Sequence, residues 1–353
     1  MLNRLANSAR DILGNIFYPA VLNYVVESRE WSIYQDGKYI TENIKSISSR
    51  LTTSSYGLRN SLIHFGSAYT YDFPHLSNKV VVSCMHIAPN DTNIERLRST
   101  WKHIDIIHVP CDITRNGLIE LGASGEKVVK ISLGVDLSMF KPCSEEEKIR
   151  LRVQFGIPSG AKIIGSFQKD GQGWNDGSEP KYVKAPDVLV DVLHAMNFES
   201  PEKIFVLLSG PSRGYVIKHL EKNGIPYKYI GLTDYKNLPT LYNMLDLYLV
   251  TSRIEGAPKA ILESMASGVP IVSTACGMAP EVIINGKNGF ITDVDDRNAL
   301  LDKSSQVLEG NGNIENMIKQ GIETAKAYSW EIIAERYYKE IYSKLMEENG
   351  CIY

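Results

Sequence analysis

The sequence predicts an α/β fold of two domains, each a parallel sheet covered by helices; chain length, the character of the apolar runs and their punctuation carry that expectation. At 353 residues the chain exceeds one ordinary core, so two domains of roughly 150 to 200 residues are expected. Short β-rich runs alternate with helical stretches. Most of these runs are apolar throughout rather than alternating, as strands buried on both faces by crossover helices are. Gly, Pro, Asn or Asp lies near each run, marking the turns.

In the first part the expected strands are 23–26, 61–65, 79–85, 104–109 and 128–131; in the second they are 162–167, 204–209, 227–230, 245–250, 270–273 and 289–291. Between Gly134 and Ser144 a strand-like run gives way to GVDLSMFKPCSEEEK and a charged helical segment. The boundary is therefore placed at residue 140. Residues 30–37 are read as a loop, with Gly37 preceding a helix at 38–47. KDGQGWNDGSEPKYV, residues 169–183, holds three glycines and a proline and reads as a long mobile loop at a strand's carboxyl end.

Composition narrows the function. The chain is 43% hydrophobic and 22% charged with a net charge of -3, values of a globular protein without the basic field that recruits nucleic acid. Five scattered cysteines without a CxxC pair suggest neither a disulfide framework nor a zinc knuckle, and point to a reducing, cytoplasmic compartment. No apolar run approaches the ~20 residues that span a bilayer. Residues 2–17 place Leu2, Leu5, Ala9, Ile12, Leu13 and Ile16 at helical spacing. Such a helix either packs on its own domain or gives peripheral contact with the inner face of a membrane.

The most informative stretch runs from Thr251 to Asp293. The apolar run LDLYLV feeds into it; residues 257–267 have helix-forming composition, Pro258 suits a first turn, and Gly268 with Pro270 is a stop signal. Glu255 thus stands before a helix and Glu263 within it. A helix start attracts an anion such as a diphosphate. Eight residues at about 100° each return a side chain to within about 80° of its first direction, so both carboxylates are able to face one ligand. Carboxylates beside a diphosphate suit neutral hydroxyls, which sugars and ribose supply.

Glu255 and Glu263 in EGAPKAILE, followed by ASGVPIVST and APEVIINGKNGFI, resemble the Glu-x7-Glu signature of the family 4 retaining glycosyltransferases. LGVDLSMFKP, YIGLTDYKNLPTLYNMLDLYLVTS and YSWEIIAERYYKEIY resemble further elements of that family, in its order. The resemblance implies a GT-B fold: two Rossmann-like domains facing across a cleft, with a C-terminal helix crossing back to the first. It gives residues 1–140 plus 330–353 as the acceptor-side domain and 141–329 as the nucleotide-sugar domain. It also implies transfer of a sugar from a nucleotide diphosphate, a UDP-sugar favoured, to a glycan or lipid-linked acceptor.

By the same resemblance Glu255 would contact donor sugar hydroxyls and Glu263 the ribose. Gly256 and Ala257 would offer N–H groups beside Pro258, and Gly231 with Leu232 would border the base. The family places an Arg and a Lys on the departing diphosphate. Lys184 stands at the Lys position, whereas Ser166 occupies the Arg position; Lys169, then Arg213, then Lys181 are the candidate substitutes. His86, ending the run VVVSCM, would touch the donor sugar or phosphate. No His spacing suggests a metal, no cofactor beyond the nucleotide-sugar is expected, and Asp293-Val294-Asp295 is set aside as a chance Asp-x-Asp. Two rivals stand: a sugar-nucleotide 2-epimerase of the same fold, and a catalytically silent scaffold subunit of a glycan assembly complex.

Overall fold

The computed structural model describes residues 11–17, 20–27, 32–89, 91–173, 175–199, 204–231 and 234–347. The chain divides into two compact units, Met1–Gly134 with Ser329–Tyr353, and Val135–Tyr328. The first unit holds a six-stranded sheet of β1 (Leu22–Val25), β2 (Ser49–Thr52), β3 (Leu62–Phe65), β4 (Lys79–Ser83), β5 (Ile106–Val109) and β6 (Val128–Lys130). Their order is β2-β1-β3-β4-β5-β6 and every pairing is parallel.

Successive side chains of a strand point to opposite faces. Ile63, Phe65, Val80, Val82, Ile107 and Val109 accordingly meet Ile94, Leu97 and Leu118 in one apolar layer. The intervening His64, Ser83 and His108, all buried, meet Tyr337 and Tyr342 on the other side, contributed by the terminal helical stretch. Trp330 opens that stretch and stacks on Tyr39 at 5.2 Å between ring centroids. Gly134 lies so close to it that a Cβ there would stand 2.7 Å from the indole.

The expected loop at 30–37 and helix at 38–47 are corrected. The helix is Ser32–Asn43 and Gly37 lies inside it, buried. A Cβ on Gly37 would come within 2.6 Å of the Tyr24 ring and 2.9 Å of Val26, so this glycine permits close approach of helix to strand rather than breaking the helix. β2 was not expected at all: it is an edge strand of sequence SRLT with only Thr52 buried, and lacks an apolar signature.

The N-terminal stretch 11–17 is helical and packs on its own unit, yet through its polar residues. Asp11 accepts from the Thr53 N–H and hydroxyl, and the Asn15 amide donates to the Ser54 and Tyr56 carbonyls. Leu13, Ile16 and Phe17 are left exposed. Residues 2–10 of the expected helix lie outside the described residues. No helix among the described residues is long and apolar enough to cross a membrane.

The second unit holds β7 (Lys162–Phe167), β8 (Ile204–Ser209), β9 (Tyr227–Ile230), β10 (Leu247–Val250), β11 (Ile271–Thr274) and β12 (Phe290–Thr292). Again all pairings are parallel, in the order β12-β11-β10-β7-β8-β9. β8, β10 and β11 are buried along their whole length, and Ile164, Val206, Leu208, Leu247 and Leu249 pack against the helix Pro186–Glu199. In a parallel sheet of this kind, ligands lie beyond the carboxyl ends of the strands. The residues leaving β7, β8, β9 and β10 at that edge are the ones that follow.

Candidate functional site

After β10 the chain runs through Thr251 and Ser252, both buried, and is tied to the turn Tyr182–Lys184. The N–H groups of Arg253 and Ile254 both donate to the Val183 carbonyl, at 2.9 and 3.1 Å. Arg253 fastens the arrangement from outside. Its guanidinium bonds the Asp187 and Asp295 carboxylates and lies 4.8 Å over the Tyr182 ring. Asp295 of the Asp-x-Asp is thus engaged by an arginine.

This zippered pair of segments brings Lys184 and Glu255 together. They form an ion pair in which the lysine side chain is 21% and the glutamate 14% exposed, and the Ser252 hydroxyl donates to the same carboxylate oxygen at 2.9 Å. Lys184 is followed by Ala185, fully buried with φ 48 and ψ 54, left-handed values that glycine adopts without cost. That conformation turns the chain from Lys184 into the helix Pro186–Glu199, and the Ala185 carbonyl accepts from the Thr251 hydroxyl at 3.3 Å.

The segment expected as a long loop folds back on itself over residues 169–173 and 175–183. Gly171 bridges Pro180, Gln172 N–H donates to Glu179 and Lys181 N–H donates to the Asp170 carbonyl. Gly177 abuts Ser212 so tightly that a Cβ would stand 2.2 Å from its carbonyl oxygen. Lys169 and Lys181 therefore flank the neck of the loop. Burial holds the Lys181 ammonium below the usual lysine range, the nearby Lys184 and Lys169 charges push it the same way, and Glu255 opposes them. Burial lowers Lys169 as well. Lys169, Lys181 and Lys184 thus lie near one another beside Glu255, which is paired with Lys184.

Glu263 lies in the helix Ala260–Ala266 and is 5% exposed. Its Oε1 accepts from the Tyr235 hydroxyl and its Oε2 from the Tyr242 hydroxyl, the latter at 2.9 Å. Tyr242 is fully buried, and burial first, then the Glu263 charge, raises its hydroxyl well above the ordinary tyrosine range; it is a permanent donor. The helix starts three residues later than its composition suggests, so Gly256, Ala257 and Pro258 form the link between Glu255 and the helix. Gly256 is pinned there by its carbonyl, which accepts from Met278 N–H at 2.8 Å.

Arg213 takes a different place. It pairs with Asp170 at 3.0 Å, both side chains wholly enclosed, and donates to the Ser209 carbonyl at 2.7 Å and to the Ser166 hydroxyl at 3.2 Å. Ser166, found where an arginine was expected, thus receives a guanidinium from the exit of β8. That guanidinium is spent inside the fold, and burial raises Asp170 against the pull of its partner. Gly231 follows β9 and is exposed, Leu232 lies outside the described residues, and His86 is exposed beyond β4 in the first unit. Among the described residues no group of three His, Cys, Asp or Glu is placed to hold a metal ion.

Sequence reasoning missed Ser252, Tyr235 and Tyr242. A tyrosine in the apolar context LPTLYNMLDLYLV was a usable signal, since a buried hydroxyl needs a partner.

A family model described as "Glycosyl transferases group 1" matches residues 179–324. Along 364 aligned residues the chain is 23% identical to the N-acetyl-alpha-D-glucosaminyl L-malate synthase of Bacillus anthracis, covering 96% of this chain and 88% of that protein. It is 26% identical over 236 residues to the D-inositol 3-phosphate glycosyltransferase of Corynebacterium urealyticum, covering 64% of this chain. The chain spans about half the length of this relative, 53%. Among solved structures, Anabaena Alr3699/HepE in complex with UDP-glucose is similar with a TM-score of 0.74 at 16% identity, covering 92% of this chain and 100% of that one. The match to that family model lies within the second unit, and the two parallel helix-covered sheets have the GT-B fold of the similar solved structures.

Proposed function

We propose that the chain transfers a sugar, with retention at the anomeric carbon and without a metal, from a nucleotide diphosphate sugar to a glycan or lipid-linked acceptor. The reaction serves surface polysaccharide or glycoconjugate synthesis. One observation carries the reading: the Lys184–Glu255 pair, with Lys169 and Lys181 beside it, at the carboxyl edge of the second sheet. Clustered cations suit a diphosphate, and stabilising that leaving group is the main electrostatic task where no metal does it. Glu255 accepts hydrogen bonds from donor sugar hydroxyls, Glu263 from the ribose, and Gly231 with Leu232 borders the base. Gly256 and Ala257 face the diphosphate, while Arg213 and Ser166 support the donor side from within. A uridine nucleotide is favoured because Alr3699/HepE is seen with UDP-glucose.

The acceptor hydroxyl attacks from the face the diphosphate leaves, and the departing oxygen takes the proton; no separate general base is required. His86 touches the donor sugar or phosphate. The exposed Leu13, Ile16 and Phe17 provide peripheral membrane contact in a cytoplasmic enzyme, which co-sedimentation with anionic vesicles tests. The main test is Glu255→Ala. Turnover of a UDP-sugar is expected to fall by about 100-fold or more with the melting temperature retained. Near-normal turnover sinks the assignment.

A further inference from the structure

Glu263 is closed by two tyrosines that differ in permanence. Tyr242 has no exposed surface, and its ring packs against Phe140, Phe167 and Tyr248 at 5.8, 5.1 and 5.2 Å between centroids. Its hydroxyl reaches Oε2 from the interior side. Tyr235 is only half-buried. It stands on a single helical turn, Tyr235–Asn237, started by Asp234 accepting from Lys236 N–H at 2.9 Å, and its ring meets Phe140 edge-on at 5.8 Å. Its hydroxyl covers Oε1, the oxygen that Tyr242 leaves.

We propose that Tyr235 is a stand-in for the hydroxyls of the bound nucleoside: its phenol occupies Glu263 Oε1 in the empty protein and hands that oxygen to the ribose diol when the nucleotide enters. This inference rests on the reading that Glu263 receives the ribose. A carboxylate that is 5% exposed would lose most of its hydration without a donor, and a buried acceptor left unmade is costly. Tyr242 satisfies one oxygen for good, whereas Tyr235 satisfies the other until a better-placed pair of hydroxyls arrives. The exchange conserves the number of hydrogen bonds, so it costs little. It also biases the pocket toward ligands that carry a hydroxyl in this place, because a deoxy ligand displaces Tyr235 and returns nothing. The empty protein's closed arrangement lowers apparent affinity by the fraction of molecules in which Tyr235 holds the oxygen.

The experiment is isothermal titration of UDP and of 2′,3′-dideoxy-UDP into wild type, Tyr235→Phe and Glu263→Gln, each first checked for folding by circular dichroism. Tyr235→Phe removes only the competing hydroxyl. It is expected to bind UDP about 3- to 10-fold more tightly than wild type, the worth of one hydrogen bond. Its preference for UDP over the dideoxy ligand is expected to stay as in wild type, because both ligands displace the phenol. Unchanged or weaker UDP binding by Tyr235→Phe overturns the proposal, because the phenol then orients Glu263 instead of competing for it. Glu263→Gln reports on the underlying reading separately. If it leaves the ratio of UDP to dideoxy-UDP affinity unchanged, the ribose does not meet Glu263 and the donor-site assignment falls with the inference. Absence of nucleotide binding by wild type has the same effect.

Discussion

Each unit encloses a polar constellation against its sheet, and the two are built on opposite terms. In the first unit a chain of hydrogen bonds joins Tyr342, His64, Ser83 and His108, all 0 to 1% exposed. His108 Nε2 lies 2.8 Å from the Ile131 carbonyl, which only accepts, so that nitrogen carries the proton. The direction of every other bond follows: Ser83 donates to His108 Nδ1, His64 Nε2 donates to Ser83, and Tyr342 donates to His64 Nδ1, at 2.8, 2.8 and 2.6 Å. Both rings are neutral and the chain is complete. Around Glu255 the groups are charged and partly open to solvent, with Lys184 paired to it and Lys181 close by. A neutral, closed network has nothing to gain from a ligand, whereas a charged cluster partly open to solvent suits the anion of the proposed donor.

The sharpest way to break that contrast is Lys184→Ala. Turnover should fall by roughly 100-fold, about 2.7 kcal/mol of transition-state stabilisation, while the thermal melt changes little. If the melt collapses instead, the lysine cluster is structural like its counterpart. Next in size is Tyr342→Phe, which leaves His64 Nδ1 buried without its donor. A loss of about 1 to 3 kcal/mol in a denaturant titration is expected, with turnover at saturating substrate within about twofold of wild type when assayed well below the midpoint. Equal stability would show that the network carries no weight.

Acidification probes the same network with a definite sign. Burial pushes His108 down to about 4, and burial followed by the His108 charge pushes His64 well below its usual value, whereas both titrate near 6.5 when unfolded. Between about pH 6.5 and 4 the unfolded chain therefore binds protons that the native chain refuses. Stability is full above that window and falls as pH drops through it, by at most about 1.4 kcal/mol per group per pH unit. Melts of wild type and His108→Gln from pH 7.5 to 5 should show a shallower dependence in the variant. The smallest expected effect is Ala185→Gly: relief of a left-handed backbone, less the extra freedom gained by the unfolded chain, leaves a gain of about 0.5 kcal/mol. A loss of stability would mean that the methyl group's packing outweighs the strain.

How much of this was legible in the sequence depended on whether the signal was local. β7 and β8 were readable to the residue because strands covered on both faces leave largely apolar runs, and the edge strand β9 was placed by the turn residues beside it. β2 was not, since an edge strand needs no such run, and Gly37 misled because its reason for being glycine is a tyrosine on a neighbouring strand. At the site, Glu255 and Glu263 lie within one recognisable segment. The partners Tyr235, Tyr242 and Ser166 are brought to Glu263 and Arg213 by packing of segments far apart in sequence, and no spacing rule reports that. Lys169 and Lys181 were named singly; the closure of the 169–183 loop is what makes them neighbours.

The division of the chain also orders its birth. The second unit is one continuous stretch, with the Val135 N–H bonded to the Tyr328 carbonyl at 2.9 Å, so all its parts emerge together. The first unit is interrupted. His64 and His108 are synthesised early, yet Tyr337 and Tyr342, which face them in the finished sheet, leave the ribosome only after the entire second unit. Domains generally fold as units during synthesis. Here the half that is made first is completed last, and its imidazoles wait on the final turns of helix for their partners.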